Sequence, residues 1–192
     1  MGELINKLRY YVGLYLPLFM PRHAVAFAKD YFKDKPIVAV EIGTDLGIHA
    51  TSILNNLNIK RLYLVDPYES YEEYIQSEPG KIQNVLNKNE NIATKRLQRY
   101  DNIIWKKDYS DSAAVLSSIP NDLDFVYVDG NHEYKYAKSD MELYFKKLRK
   151  GGILAGHDIV IFPGVMRAFC EFVVEHKIKF FRITKTDWYL IK

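Results

Sequence analysis

The sequence predicts an α/β protein with an open, doubly wound sheet that is mostly parallel and ends in an antiparallel C-terminal edge hairpin. Short apolar runs rich in β-branched and aromatic residues alternate along the chain with segments that have helical spacing. The runs are apolar at consecutive positions, which is typical of parallel strands buried on both faces. Only a short connection separates the last two runs, so they must pair antiparallel.

Each element follows from this alternation. Five strands are predicted at 37–42, 61–66, 102–108, 124–129 and 152–158. Helices are predicted at 49–57, 81–100, 112–119, 136–150 and 164–177. The chain closes with the two edge strands, 179–184 and 187–192. For 192 residues we expect one main domain at 36–192, preceded by an N-terminal helical cap at 1–35.

The apolar stretch at 10–20 is too short to span a bilayer as a helix, and Pro17 and Pro21 interrupt it. We interpret it as part of a helix–turn–helix cap over the site. A peripheral contact with a membrane surface is the alternative.

Composition narrows the function classes. The net charge is only +3, and the basic clusters at 94–99 and 146–150 are interpreted as solvated helix faces, so nucleic acid is not the favoured partner. The single cysteine, Cys170, excludes an internal disulfide framework and is consistent with a reducing, cytoplasmic location. Its apolar helical context predicts that it is buried.

An acidic residue stands at or just after the end of all five predicted parallel strands. They are Glu41 and Asp45, then Asp66, Asp108, Asp129 and Asp158. The segment after Asp129-Gly130 is helix-forming, which favours a strand-to-helix turn over a hairpin. Because the carboxyl ends of parallel strands lie at one edge of the sheet, where ligands bind in such folds, the acids predict a ligand cleft there.

The loop after the first strand has the pattern E-x-G-x-x-x-G, formed by Glu41, Gly43 and Gly47. It lacks the second glycine of a dinucleotide fingerprint, and Asp45 at that place would repel a pyrophosphate. The acids favour a cationic ligand, while the following helix N-terminus can receive a carboxylate. S-adenosylmethionine combines a sulfonium, an amine, a carboxylate and a ribose, and Asp66 stands where an acid holds ribose hydroxyls.

The chain resembles the class I S-adenosylmethionine-dependent methyltransferases. It is especially similar to a small-molecule group with the motifs V-D-G-[ND]-H-x-[YF] and G-G-x-x-x-G-H-D. The resemblance covers about 37–160 and is carried by VEIGTDLGIHA (40–50), LVDPY (64–68), VYVDGNHEYKYAKSDMELY (126–144) and KGGILAGHD (150–158). The chain departs from the group at Arg149-Lys150, where Lys-Pro is usual, and in the long segment 67–101.

The resemblance implies a Rossmann-like methyltransferase fold and a role for each strand-end residue. Glu41 and Gly43, with Asp45 and Gly47 in the same loop, would line the amino-acid end of the cofactor. Asp66 would hold the ribose, and Asp129 would sit beside the transferring methyl group. Asp108 and Tyr109 would lie near the adenine, although the sequence after Asp108 also reads as a helix N-cap.

The sequence lacks the [DN]-P-P-[YF] motif of many amine methylases, so we expect a hydroxyl acceptor on a small metabolite or sugar. The predicted catalytic residues are Asp129, His132 and Asp158, with His132 as the base. Alternatively, Asp129, His157 and Asp158 would hold a divalent ion softer than Mg²⁺. A nucleic-acid methyltransferase, a non-catalytic cofactor- or nucleotide-binding module, aminopropyl transfer and homo-oligomerisation stay open.

Overall fold

A computed structural model describes residues 16, 20–70 and 79–192. The strands are β1 (Ile37–Ile42), β2 (Ile59–Val65), β3 (Ile103–Lys106), β4 (Leu123–Val128), β5 (Leu148–Gly156), β6 (Phe181–Ile183) and β7 (Trp188–Ile191). The helices are α1 (His23–Phe32), α2 (Ile48–Asn56), α3 (Pro79–Leu97), α4 (Ala113–Ser118), α5 (Tyr134–Lys147) and α6 (Pro163–Glu175).

The strands form one seven-stranded sheet in the order β3-β2-β1-β4-β5-β7-β6. Strands β1 to β5 pair parallel, whereas β7 pairs antiparallel with both β5 and β6. The predicted doubly wound sheet with an antiparallel C-terminal hairpin is therefore confirmed. Strand β5 begins four residues earlier than expected, because it continues through the Gly151-Gly152 pair, which reads as a turn in sequence.

Helices cover both faces of the sheet, as a doubly wound fold requires. One apolar cluster joins α5 and α6 to the sheet, and the other joins α1 and α2 to its opposite face. Cys170 is exposed, so the expectation of burial was wrong. The inward face of α6 is formed by Val165, Ala168, Phe169 and Phe172, and position 170 falls outside that phase.

Helix α1 is the described part of the expected N-terminal cap. Its buried residues, Ala24, Val25, Ala28 and Phe32, belong to the same apolar cluster as strand residues of the sheet. The first helix of the expected cap and most of the stretch at 10–20 lie outside the described residues. Within the described ranges, no helix has the length and apolar character needed to cross a bilayer.

The parallel hydrogen-bond ladder continues past the ends of the strands. Four backbone amides just beyond β1, β2, β4 and β5 donate to carbonyls of the neighbouring strand, at 2.9, 3.1, 2.8 and 3.1 Å: those of Gly43, Asp66, Asp129 and His157. The ladder therefore fixes the relative positions of these predicted site residues through the backbone alone.

Gly43 lies where the β1 and β4 loops come closest. Its φ is +84°, and a Cβ atom there would lie 2.0 Å from the carbonyl oxygen of Asp129. We therefore expect Gly43→Ala to lower the free energy of unfolding by at least about 2 kcal/mol. Urea denaturation followed by circular dichroism measures this change.

Gly130→Ala is the matched control, since a Cβ there would first meet the Cγ2 atom of Ile42, at 3.2 Å. It should cost less than about 1 kcal/mol. Equal destabilisation by the two substitutions would show that the close approach at Gly43 is not what constrains these loops.

Candidate active site

A cavity of about 590 Å³ opens at the carboxyl edge of the sheet, within the range typical of small-molecule and cofactor sites. Six predicted site residues line it: Gly43, Asp45, Asp66, Tyr109, Asp129 and His132. The residues Glu41, Gly47, Asp108, His157 and Asp158 are not among those that line it. The structure thus brings six of the eleven predicted site residues to the wall of one cavity.

Asp66 organises the glycine loop from the end of β2. Its Oδ2 atom accepts hydrogen bonds from the amides of Thr44 and Asp45, at 2.8 and 2.9 Å. Its Oδ1 atom accepts from the amide of Tyr68 at 2.8 Å. The Oδ1 atom has a further lone pair, so this arrangement leaves Asp66 able to accept from a ligand hydroxyl at the cavity wall.

Asp45 lies in the left-handed region with φ of 46°. Its Oδ1 atom accepts a hydrogen bond of 2.6 Å from Nδ2 of Asn89, on α3. Burial raises the pKa of Asp45. Helix α3 therefore holds the glycine loop from outside, and the long segment between β2 and β3 contributes to the site.

Glu41 and His49 form a buried pair beneath the glycine loop. The Nδ1 atom of His49 and the Oε1 atom of Glu41 share a hydrogen bond of 2.8 Å. Burial raises the pKa of Glu41 and lowers that of His49, so both shifts favour an uncharged pair. The Oε2 atom of Glu41 and the Nε2 atom of His49 have no hydrogen-bond partner among the described residues.

Asp129 is held by an arginine from the other end of the chain. The Nη1 atom of Arg22 donates to Oδ2 of Asp129 at 2.8 Å and to the hydroxyl of Tyr127 at 3.0 Å. The Tyr127 hydroxyl in turn donates to Oδ1 of Asp187 at 3.2 Å. Asp187 also accepts from the amide of Ala24 at 3.0 Å, so it caps helix α1. This chain ties α1 and the C-terminal hairpin to Asp129.

The second oxygen of Asp129 faces two histidines. Its Oδ1 atom lies 3.9 Å from Nε2 of His132 and 3.7 Å from Nδ1 of His157. The carboxylate of Asp158 contacts the same two rings, with Oδ2 at 3.0 Å from His132 and Oδ1 at 2.9 Å from His157. Asp158 has φ of 59°, a conformation that non-glycine residues adopt rarely and that recurs at functional sites.

Charge coupling shifts the pKa values of Asp129, Asp158 and His132. Burial alone would raise the pKa of Asp129, but Arg22 and the histidines hold it below its ordinary value. Burial alone would likewise raise the pKa of Asp158, but the histidines lower it to about 2. Burial alone would lower the pKa of His132, but the two carboxylates raise it to about 9. His132 is therefore mostly protonated at neutral pH, and a role as general base needs its pKa lowered.

Asp108 is engaged by its own turn. Its Oδ1 atom accepts from the amide of Tyr109, and its Oδ2 atom accepts from Oγ of Ser112, both at 2.8 Å. Ser112 is the residue that caps α4, by accepting from the amide of Val115 at 3.2 Å. Tyr109 does line the cavity, and its hydroxyl donates to Glu69 at 2.8 Å.

Sequence reasoning missed several residues that the structure places in or against the site. Arg22 precedes α1, and nothing in its neighbourhood of the sequence indicates a partner more than one hundred positions away. Ser110, Asp111 and Asp140 line the cavity. Asp140 is an acidic residue on the buried face of α5, which is otherwise apolar. This break in the helical apolar pattern is the one sequence signal that could have identified it.

The sequence profile of a methyltransferase-domain family matches residues 40–159, more than half of the chain. The chain belongs to this methyltransferase family. The matched region runs from β1 to just past β5 and includes every predicted site residue. Membership implies the use of S-adenosylmethionine, which the resemblance in sequence had suggested.

A curated relative and several solved structures are similar to this methyltransferase. An uncharacterised protein, R132 of Acanthamoeba polyphaga mimivirus, is 27% identical over 158 residues, which cover 80% of this chain and 66% of the relative. This chain thus spans just under two thirds of that relative's length.

Three solved structures share the fold at low sequence identity. The O-methyltransferase NovP superposes with a TM-score of 0.62 at 15% identity, covering 88% of this chain and 78% of NovP. A methyltransferase from Geobacter sulfurreducens gives 0.59 at 15% identity, covering 89% and 79%. CalS11, a TDP-rhamnose 3'-O-methyltransferase of calicheamicin biosynthesis, gives 0.54 at 16% identity, covering 94% and 85%. At these identities the likeness shows the Rossmann-like methyltransferase fold alone.

The methyltransferase also has a group of side chains that fits a divalent ion. One ligand atom each from Asp129, His132 and Asp158 lies within 4.8 Å of the others. The Nε2 atom of His132 is buried and has no hydrogen bond from any described residue, although it points between the two carboxylates. Two carboxylates and an imidazole suit Mn²⁺, Fe²⁺ or Zn²⁺ better than Mg²⁺. His157 lies beside the same carboxylates, so the histidine ligand predicted from sequence is the second candidate.

The Arg22–Asp129 ion pair should stabilise the methyltransferase. Both side chains are largely buried, with 22% and 18% of their surfaces exposed. We expect Arg22→Met to lower the free energy of unfolding by about 1–3 kcal/mol, because the substitution leaves Asp129 facing only the histidines. Arg61→Met, at an exposed position of β2, is the matched control and should cost less than about 0.5 kcal/mol.

Chemical denaturation at pH 7 measures both variants. If Arg22→Met were as stable as Arg61→Met, the ion pair would contribute nothing to the fold.

Proposed function

We propose that the protein transfers the methyl group of S-adenosylmethionine to a hydroxyl oxygen of a small metabolite or sugar. The observation that carries this proposal is the position of Asp129. Asp129 lines the cavity, and its carboxylate contacts Arg22, His132 and His157. The methyl-bearing part of a cofactor bound in the cavity would therefore lie beside this charged cluster, where the acceptor would bind.

The cavity residues suit the parts of the cofactor in a defined order. Gly43 and Asp45 would face its amino-acid end, with Glu41 and Gly47 supporting the loop from beneath. Asp66 would accept from the ribose hydroxyls, as acids at the end of a second strand do in such folds. The loop containing Tyr109 would flank the base, with Asp108 shaping that loop from within.

In the proposed reaction the acceptor oxygen attacks the methyl carbon in line with the sulfur. The carbon–oxygen bond forms as the carbon–sulfur bond breaks, and the sulfur leaves as a neutral thioether. The acceptor's proton must go to a base or be lost from a hydroxyl of lowered pKa. Asp129 and Asp158 would orient the acceptor, and Arg22 would keep the Asp129 carboxylate fixed during attack.

A bound divalent ion would lower the pKa of the acceptor hydroxyl. Asp129, Asp158 and one histidine would hold it, and the buried Nε2 atom between the two carboxylates favours His132 for that place. Without such an ion the proton would need a different acceptor, since the two carboxylates keep the pKa of His132 near 9.

The contacts of the basic residues support a small-molecule acceptor over a nucleic acid. Arg149 donates to Asp124 at 2.6 Å, and Lys147 donates to the carbonyl of Ile119 at 2.8 Å. In the other cluster, Arg96 donates to the carbonyl of Leu46 at 2.9 Å. These side chains are used within the fold and do not form a free basic stripe.

We also propose that residues 1–35 cap the site. The support is Arg22, which immediately precedes α1 and reaches the Asp129 carboxylate. A cap that delivers one of the charges of the centre would exclude water from the reaction as well as shape the acceptor pocket.

The direct test is transfer of a labelled methyl group from S-adenosylmethionine to a panel of hydroxylated metabolites and sugars. We expect at least one acceptor to be methylated at oxygen. Asp129→Asn should lower kcat by at least about 100-fold while changing the Kd for S-adenosylhomocysteine by less than about threefold. Asp101→Asn, at an exposed position, is the control for the same substitution.

Binding of the cofactor product without transfer to any acceptor would support the alternative of a non-catalytic binding module. Steeply salt-dependent binding to RNA would support the nucleic-acid alternative. Unchanged kcat in Asp129→Asn would exclude Asp129 from the reaction.

The metal assignment is tested by titrating the chelator-treated protein with Mn²⁺ and measuring binding by electron paramagnetic resonance. We expect His132→Ala to weaken binding by at least about tenfold and His157→Ala to weaken it by only a few-fold. The reverse pattern would move the ligand role to His157. Full activity after chelation, with no Mn²⁺ bound, would remove the metal from the mechanism.

A further inference from the structure

One buried acid of the cavity has no role in the proposed reaction. Asp140 lies in the first half of α5, is only 3% exposed, and lines the cavity. Burying a carboxyl group is costly unless hydrogen bonds or charges compensate for the lost water. Neither Arg22 nor the histidines contact it, so its place on the wall calls for a separate explanation.

Only one of the two oxygens of Asp140 is satisfied within the protein. Its Oδ1 atom accepts a hydrogen bond of 2.6 Å from Oγ of Ser110, in the loop after β3. That loop is also held by Tyr144, whose hydroxyl donates to the carbonyl of Ser110 at 3.0 Å. The Oδ2 atom accepts no hydrogen bond from any described side chain or amide. It lies near the backbone of Gly130, 3.7 Å from where a Cβ atom would be.

The acid that the sequence places near the adenine is unavailable for that task. Both oxygens of Asp108 accept hydrogen bonds from its own turn, from the Tyr109 amide and the Ser112 hydroxyl, and Asp108 does not line the cavity. Asp140, on α5, contacts the same loop at Ser110, which is two residues after Asp108. It therefore offers the acceptor atom that Asp108 does not.

We propose that Asp140 is a specificity-determining residue for the cofactor, and that its carboxyl group recognises the amine-bearing edge of adenine. The exocyclic amine of adenine is a donor, and the adjacent ring nitrogen is an acceptor. A carboxylate accepts from the amine. A protonated carboxyl group also donates to the ring nitrogen, which gives the paired contact that side-chain amides make with adenine.

The surroundings of Asp140 suit the paired contact. Burial, partly offset by the Ser110 hydrogen bond, raises the pKa of Asp140 to about 7, so the protonated form is present at neutral pH. The Ser110 contact fixes the rotation of the carboxyl group, and Gly130 leaves space beside Oδ2 because it has no side chain. An adenine that lies against the loop after β3 would thus meet a carboxyl group that is already oriented to donate and to accept hydrogen bonds.

This inference rests on the proposed function only in taking S-adenosylmethionine as the cofactor. The test compares S-adenosylhomocysteine with its purine-riboside analogue, which has a hydrogen atom in place of the exocyclic amine and keeps the acceptor ring nitrogen. Isothermal titration calorimetry gives the two Kd values for the wild type and for Asp140→Asn, Asp140→Leu and Asp111→Leu.

We expect the wild type to prefer the adenine ligand by at least about 30-fold, because the analogue without the amine leaves the acceptor oxygen of the buried carboxyl group without a donor. Asp140→Asn keeps a donor and an acceptor and should retain that preference within about threefold. In Asp140→Leu the preference should fall to about threefold or less. Asp111→Leu replaces another acid of the same wall and should leave the ratio of the two Kd values unchanged.

The ratio of Kd values separates recognition from stability. A purely structural role for Asp140 would weaken both ligands alike and leave the ratio unchanged in Asp140→Leu, which would overturn the inference. Loss of the preference in Asp111→Leu would move the role to that acid and overturn it equally. If the wild type bound neither ligand, the proposed cofactor itself would be wrong, which is a distinct result.

Discussion

The hydrogen-bond ladder of the parallel strands is the constraint on which the site depends. It extends one residue beyond the strands, so the amides of Gly43, Asp66 and Asp129 are fixed in a row by the carbonyls of neighbouring strands. The side chains of Asp66 and Asp129, at the ends of two strands, therefore reach one cavity from backbone positions that the sheet itself fixes. Gly43 allows the β1 and β4 loops to approach to a distance that no other residue would permit.

A cluster of opposite charges forms on this rigid edge. The carboxylates of Asp129 and Asp158 would repel each other if only apolar side chains surrounded them. Instead, Arg22 contacts Asp129, and the two histidines contact Asp158. Asp129 keeps a low pKa because of Arg22 and the histidines, Asp158 keeps a low pKa because of the histidines, and His132 keeps a high pKa because of the carboxylates. The protonation states of the cluster are thus mutually dependent, and any cation that entered it would shift all of them together.

The sequence was informative wherever a backbone pattern carries the information. Continuous apolar strands alternating with helices are enough to predict a parallel sheet, and that prediction places Asp66 and Asp129 at a common edge. The sequence was uninformative where a side chain finds a distant partner. Arg22 and Asp140 look like ordinary helix residues, and their contacts depend on how α1 and α5 pack. Asp108 shows the opposite case. Its position in the sequence fits a ligand contact, but both of its carboxylate oxygens accept hydrogen bonds from residues of its own turn.

The hydrogen bond between the Ala24 amide and Asp187 joins residues 163 positions apart. Strand β1 can pair with β2 soon after both have been synthesised, yet helix α1 has no cap from Asp187 until all the strands up to β6 have been made. Strand β7, which inserts between β5 and β6, appears equally late. A chain in which β1 to β5 are already paired would therefore still lack the contacts through Asp187 and Tyr127 that help to hold Arg22 against Asp129, so the centre depends on contacts of very long range in sequence.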